Sequence, residues 1–234
     1  MTNQETKQEN SMPTKKKVTK SKDRYPKMFL DIETVGNPSA IALVDEPEAP
    51  KNLKDPEKIA AAIAEKKQEI EDHAGLDNDL GQIAAIGYAI GKSGDIVTNV
   101  VQKGNTERSV LKDFWFAFSE VNGRCAGYNI LQFDLPFIMK RSFDLGIRPS
   151  IIPNLAKYRT EPVTDLYQLL CGWDYRGGKK LKWICKRYGI EVLAEDVDGS
   201  MVKDMTPDEI AAYLRSDIHI TRELYYRMEG YYFI

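Results

Sequence analysis

The stretch Met28-Phe29-Leu30-Asp31-Ile32-Glu33-Thr34 decides how this chain is read. The apolar run from Lys27 to Ile32 reads as a buried strand, with order beginning near Pro26. Residues two apart on a strand point to one face, so Asp31 and Glu33 share a face. Two carboxylates placed that way repel unless a cation sits between them. A second Asp-x-Glu, Asp55-Pro56-Glu57, has an ordinary explanation. Asp at the N-cap, Pro at the first helical position and Glu in the first turn start a helix. Asp31-Ile32-Glu33 follows an apolar strand and has no such explanation.

Two later segments extend the pattern. Asn129-Ile130-Leu131-Gln132-Phe133-Asp134 sits where a strand hands over to a helix. Taken alone, Asp134 could cap that helix and Asn129 could make the turn. Tyr213-Leu214-Arg215-Ser216-Asp217 lies in a long C-terminal helix, where residues four apart share a face. Taken alone, it reads as a half-buried Tyr with a surface Asp. The weight comes from conjunction: the three patterns occur in order, each in the local structure the chemistry needs. Asp31, Glu33, Asp134 and Asp217 could converge on a pair of divalent metal ions, which makes phosphodiester hydrolysis the first reading.

The remaining elements follow from periodicity and turn chemistry. Ile83 to Ile90 and Ile96 to Gln102 read as strands joined by a Gly91-Lys92-Ser93-Gly94-Asp95 hairpin. Glu107 to Val121 has helical periodicity, Arg124 to Asn129 reads as a short strand, and Leu135 to Asp144 as a helix. Lys180 to Tyr188 reads as a helix stopped by Gly189. Pro207 to Met228 reads as the last helix, with a Thr206/Glu209 capping box. Strands first and helices alternating later predict a mixed α/β sandwich. Residues 37–80 interrupt that rhythm with an acidic, Pro-rich start and a helix from Pro56 to His73 capped by Asp55. Leaving directly after Asp31 and Glu33, this insert is expected beside the site, either as a cover of the substrate channel or as a surface ornament.

With 234 residues and 42% hydrophobic content, the chain supports one core. The expected organisation is a disordered basic arm over 1–24 and one domain over 25–234 containing the 37–80 insert. A net charge of -2 neither announces nor excludes a nucleic-acid partner. The best basic patch is Tyr175 to Trp183, with Lys179 and Lys180 at its centre and Lys186 and Arg187 beyond. It could follow a phosphate backbone, or be a solvated helix start after a Gly turn. Three cysteines without a CxxC pair argue against a zinc knuckle and fit a reduced, cytoplasmic setting. No membrane segment or signal peptide is expected.

On these motifs the chain resembles the DEDD superfamily of 3'-5' exonucleases, on the ribonuclease H-like fold. One branch has a histidine five residues before the last Asp, where this chain has Ala212. The other has a tyrosine four before it, matching Tyr213. The chain is similar to the stand-alone group of that tyrosine branch related to the proofreading domain of B-family DNA polymerases. Leu181-Lys182-Trp183-Ile184-Cys185 to Ile190 and Asp198-Gly199-Ser200-Met201-Val202 match that group more loosely. The resemblance implies a mixed five-stranded sheet flanked by helices, with a helical insert after the first strand. It implies two Mg²⁺ or Mn²⁺ ions held by Asp31, Glu33, Asp134 and Asp217, with Tyr213 orienting or deprotonating the attacking water, orientation being the role its ordinary pKa near 10 favours. Thr34, Asn129 and Phe133 match positions that hold the terminal nucleotides, although an aromatic before a helix is more often core. The implied substrate is the 3' end of DNA, single-stranded by preference, acting alone or with a replication or repair partner. The alternatives are a ribonuclease D-type exoribonuclease, and an inactive nucleic-acid-binding module on the same fold.

Overall fold

The structure is a computed structural model that describes residues 25–174, 177–194, 196 and 198–233. The arm over 1–24 therefore lies outside the described residues, as do Tyr175 and Arg176 of the basic patch. The strands are β1 (Met28–Gly36), β2 (Gly81–Ile90), β3 (Ile96–Val100), β4 (Cys125–Gly127) and β5 (Val163–Asp165). The helices are α1 (Pro38–Ile41), α2 (Pro56–His73), α3 (Glu107–Glu120), α4 (Asp134–Asp144), α5 (Leu166–Leu170), α6 (Leu181–Arg187) and α7 (Pro207–Met228). Short 3₁₀ turns cover Ala74–Leu76 and Gly199–Asp204.

The strands form one mixed five-stranded sheet in the order β3-β2-β1-β4-β5. β1 pairs antiparallel with β2 and parallel with β4; β2 pairs antiparallel with β3, and β4 parallel with β5. Alternation along β1 divides the molecule into layers. Met28, Leu30 and Ile32 face a core with Val110, Leu111, Phe114 and Phe118 of α3 and Leu135 and Ile138 of α4. Phe29 faces the opposite core, with Ile184 and Cys185 of α6 and Ile218, Leu224 and Tyr225 of α7. By the same period of two, Asp31 and Glu33 emerge on the α7 side.

The helix starts behave as their chemistry dictates. Asp55 caps α2, and Thr206 and Glu209 close a capping box on α7. β4 is shorter than expected and stops at Gly127, since Asn129 already turns into the left-handed region at φ 67°. The insert is not a detached ornament at its C-terminal end. Ala74 is fully buried, and Gly75 lies against the backbone of Thr34 and Val35. Among the described residues no helix is long and apolar enough to cross a membrane.

Gly127 ends β4 where the chain must pass close to β1. A Cβ there would stand 2.1 Å from Ile130 Cγ2 and 2.7 Å from the Leu30 carbonyl oxygen. Gly127→Ala is therefore expected to lower the unfolding free energy by about 1–3 kcal/mol. Urea unfolding checks this, and a midpoint equal to that of the parent chain would contradict it.

Candidate active site

Three elements bring the acids together. β1 presents Asp31 and Glu33 toward α7, and a register shift between Glu33 and Thr34 breaks the ladder with β2 just there. Such bulges re-aim side chains beside active sites. Asp31 pairs with Gly87 of β2, and a Cβ at Gly87 would lie 2.5 Å from Ile218 Cδ1 and 3.4 Å from Leu214 Cβ. The missing side chain lets α7 settle onto the sheet, and that seating carries Asp217 to the β1 acids. One carboxylate oxygen from each of Asp31, Glu33 and Asp217 lies within 4.8 Å of the others. Asp134, the first residue of α4, completes the group: its Oδ1 accepts a hydrogen bond from the Ile32 amide at 3.1 Å. That amide lies between Asp31 and Glu33.

Glu33, Asp134 and Asp217 are buried, and Asp31 is the most open of the four. Burial raises every carboxyl of the group, and repulsion from the other acids adds to it at Asp31 and Glu33. Burial, then Asp134, Glu33 and Asp217, holds Asp31 well above the usual range. Burial, then Asp217 and Asp134, does the same for Glu33. Burial pushes Asp134 up to about 8 and Asp217 up to about 6. Asp217 Oδ1 is buried with no hydrogen-bond partner among the described residues. A buried carboxylate whose oxygen finds no partner among the described residues, grouped with two other carboxylates, is costly to the fold and suited to holding a cation. Hard oxygen donors of this kind fit a divalent ion.

Tyr213 is buried one turn before Asp217, and burial raises its hydroxyl above the ordinary value. The hydroxyl approaches Asp217 and offsets part of that carboxyl's rise. The other expected residues divide. Asn129 lies in the loop that leads to Asp134, with its Oδ1 buried and lacking a partner among the described residues. The Thr34 hydroxyl is engaged with the insert, donating to the Gly75 carbonyl at 2.5 Å. Phe133 packs on Phe137, with ring centroids 5.5 Å apart, and still lines a cleft of about 310 Å³ with Gln132 and Leu76 to Asp79 of the insert. Lys179 and Lys180 are exposed, and Lys180 pairs with Asp198 at 2.9 Å.

Lys182 stands nearer the acids than either of those two lysines in its effect: its charge pulls Glu33 and Asp217 down. Its Nζ lies 4.8 Å from the Tyr213 ring centroid and donates to the Ala194 carbonyl at 2.5 Å. The basic run was its signal in the sequence. Asp165 was missed altogether. Buried at the end of β5, it accepts from the amides of Asn129 at 3.0 Å, Leu131 at 3.0 Å and Gln168 at 3.2 Å. It thereby caps α5 and fixes the loop that leads to Asp134. Its sequence signal was an Asp before the helical run Leu166-Tyr167-Gln168-Leu169-Leu170.

A mixed sheet of this order, with helices on both faces and acids gathered at β1, α4 and α7, defines a ribonuclease H-like α/β domain. Residues 76–232, well over half of the chain, match the family described as predicted 3'-5' exonuclease related to the exonuclease domain of PolB. The chain belongs to that family. The matched span holds Asp134, Tyr213 and Asp217, and Asp31 and Glu33 precede it. An uncharacterised protein of Methanocaldococcus jannaschii is 28% identical over 165 residues, covering 64% of this chain and 88% of that protein. The fold is similar to the family B DNA polymerase of the archaeon Pyrobaculum calidifontis, with a TM-score of 0.56 and 16% identity. That likeness covers 87% of this chain and 24% of the polymerase, so the chain spans about a quarter of the polymerase's length.

The raised carboxyls give the site a stability signature. Their folded-state pKa values exceed the unfolded ones, so the folded chain binds protons more tightly and loses stability as pH rises. The window runs from the unfolded carboxyl range near 4 to the Asp134 value of about 8. With chelator present, Asp217→Asn should raise the melting temperature relative to the parent chain at about pH 8 and change it little near pH 4. Mn²⁺ should raise the parent's melting temperature at the upper pH and the variant's by less. A thermal-shift series with no pH-dependent difference between the two proteins would contradict this.

Proposed function

We propose that the chain is a metal-dependent 3'-5' exonuclease that releases nucleoside 5'-monophosphates from the 3' end of DNA, preferring single strands. The observation that carries the reading is the convergence of Asp31, Glu33 and Asp217 within 4.8 Å, with Asp134 bonded to the amide between the first two. Membership of a family of predicted exonucleases supports it.

Asp31, Glu33 and Asp217 would hold one Mg²⁺ or Mn²⁺, and Asp31 with Asp134 a second. Two such ions would supply an activated water and charge for the leaving oxygen. The chain's own residues would do the rest. Tyr213 keeps its proton because burial raises its pKa, so its hydroxyl, donating to Asp217, would orient water as an acceptor and not act as a base. The Lys182 ammonium, beside Tyr213, is placed to offset charge on the scissile phosphate. Asn129, on the loop that leads to Asp134, would meet the terminal nucleotide, and Phe133 would offer its ring at the cleft beside the insert. Thr34 acts through the insert: its bond to Gly75 ties the end of β1 to the cleft wall.

The test is a 5'-labelled single strand of DNA, and a matched RNA, incubated with Mg²⁺, Mn²⁺ or EDTA. A ladder shortening from the 3' end is expected with either metal and not with EDTA. Asp217→Ala should lower the rate by at least about a hundredfold. Tyr213→Phe should cost about a hundredfold in kcat while metal binding persists. Cleavage of RNA alone would transfer the reading to an exoribonuclease. Absence of cleavage on both strands would overturn it.

A further inference from the structure

One face of α6 is unused by the site described above. Lys179, Trp183 and Arg187 are spaced four apart, so they line one side of the helix and its approach. Trp183 is 48% exposed, whereas Trp115 is 3% exposed and donates a hydrogen bond to Ser142. Trp183 takes no part in any of the three hydrophobic clusters. Lys179 Nζ lies 6.0 Å and Arg187 Cζ 5.9 Å from its ring centroid. The fold gains little from a large ring left in water between two cations.

The helix that carries the stripe also carries a residue that acts on the acids. Lys182, next in sequence to Trp183, acts electrostatically on Glu33 and Asp217. The Lys179 carbonyl accepts a hydrogen bond from the hydroxyl of Tyr128, the residue before Asn129. Gly178 makes that approach possible, since a Cβ there would lie 2.0 Å from the Tyr167 ring that packs edge-on against Tyr128. The chain therefore pins the base of the stripe to the loop that carries the site's Asn129.

We propose that Trp183, flanked by Lys179 and Arg187, is a stacking platform for an unpaired base of the nucleic-acid strand, upstream of the 3'-terminal nucleotides. The ring face accepts any base, and the two cations meet the phosphates on either side of it. The ligand class is a single strand, because a paired base keeps its faces inside the duplex. This inference rests on the exonuclease reading for its direction along the strand.

Binding tests it independently of turnover. Fluorescence anisotropy is measured in an Asp217→Asn background with Mg²⁺, using a labelled dodecanucleotide and an unlabelled trinucleotide competitor. Trp183→Ala should weaken the dodecanucleotide by at least about fivefold and the trinucleotide by less than about twofold. Trp183→Phe should stay within about twofold of the background protein on both. An unchanged dodecanucleotide affinity in Trp183→Ala, or an equal loss on both lengths, would overturn the platform. A chain that cleaves nothing yet shows the length-dependent loss would sink the exonuclease reading and keep the platform.

Discussion

Repulsion among buried carboxylates is the constraint on which the rest of this structure turns. Asp31, Glu33, Asp134 and Asp217 occupy one desolvated corner, and each raises the cost of ionising its neighbours. A fold that needed only stability would fill such a corner with apolar groups. This one builds scaffolding around it instead. The β1 bulge turns the strand after Glu33, Gly87 admits α7, and the Ile32 amide anchors Asp134. Among the described residues, Lys182 and the hydroxyl of Tyr213 offset the charge of Asp217. A divalent cation resolves the conflict more completely, and that is the physical content of the functional reading.

The scaffolding is layered. Phe29 and the apolar side of α7 form one core, and Met28, Leu30 and Ile32 form another with α3 and α4. β1 sits between the two, so its acids are held by packing on both faces. Asp165 extends the same logic to the second motif: one buried carboxylate gathers three amides and sets the loop from Asn129 to Leu131. The insert contributes at the end of β1. Thr34 bonds Gly75, and Lys203, in the turn after Gly199, pairs with Asp72 of α2 at 2.9 Å. The insert is thus tied both to the strand that carries Asp31 and Glu33 and to the turn that runs past Glu33.

Much of this was legible in the sequence because the signals were local. The Thr206/Glu209 box and the Asp55-Pro56-Glu57 start fixed the bounds of α7 and α2. The alternation Leu30-Asp31-Ile32-Glu33 fixed the face of the acids. β5 escaped because three residues, Val163 to Asp165, are too few to show a period, although five strands were implied by resemblance. With it went Asp165, two of whose three amide partners lie more than thirty positions away. Lys182 was visible only as one cation in a basic run, since its place beside Tyr213 depends on how α6 packs on α7. Thr34 matched a substrate-binding position, and no local pattern announced that its hydroxyl would meet Gly75 across the insert.

The central claim is that the four acids form a metal centre. Anomalous diffraction from crystals soaked in Mn²⁺ tests it most directly. Two peaks about 3.5–4 Å apart are expected, one bounded by Asp31, Glu33 and Asp217 and the other between Asp31 and Asp134. The contradicting result is a site without anomalous density, its carboxyls protonated and hydrogen-bonded to one another.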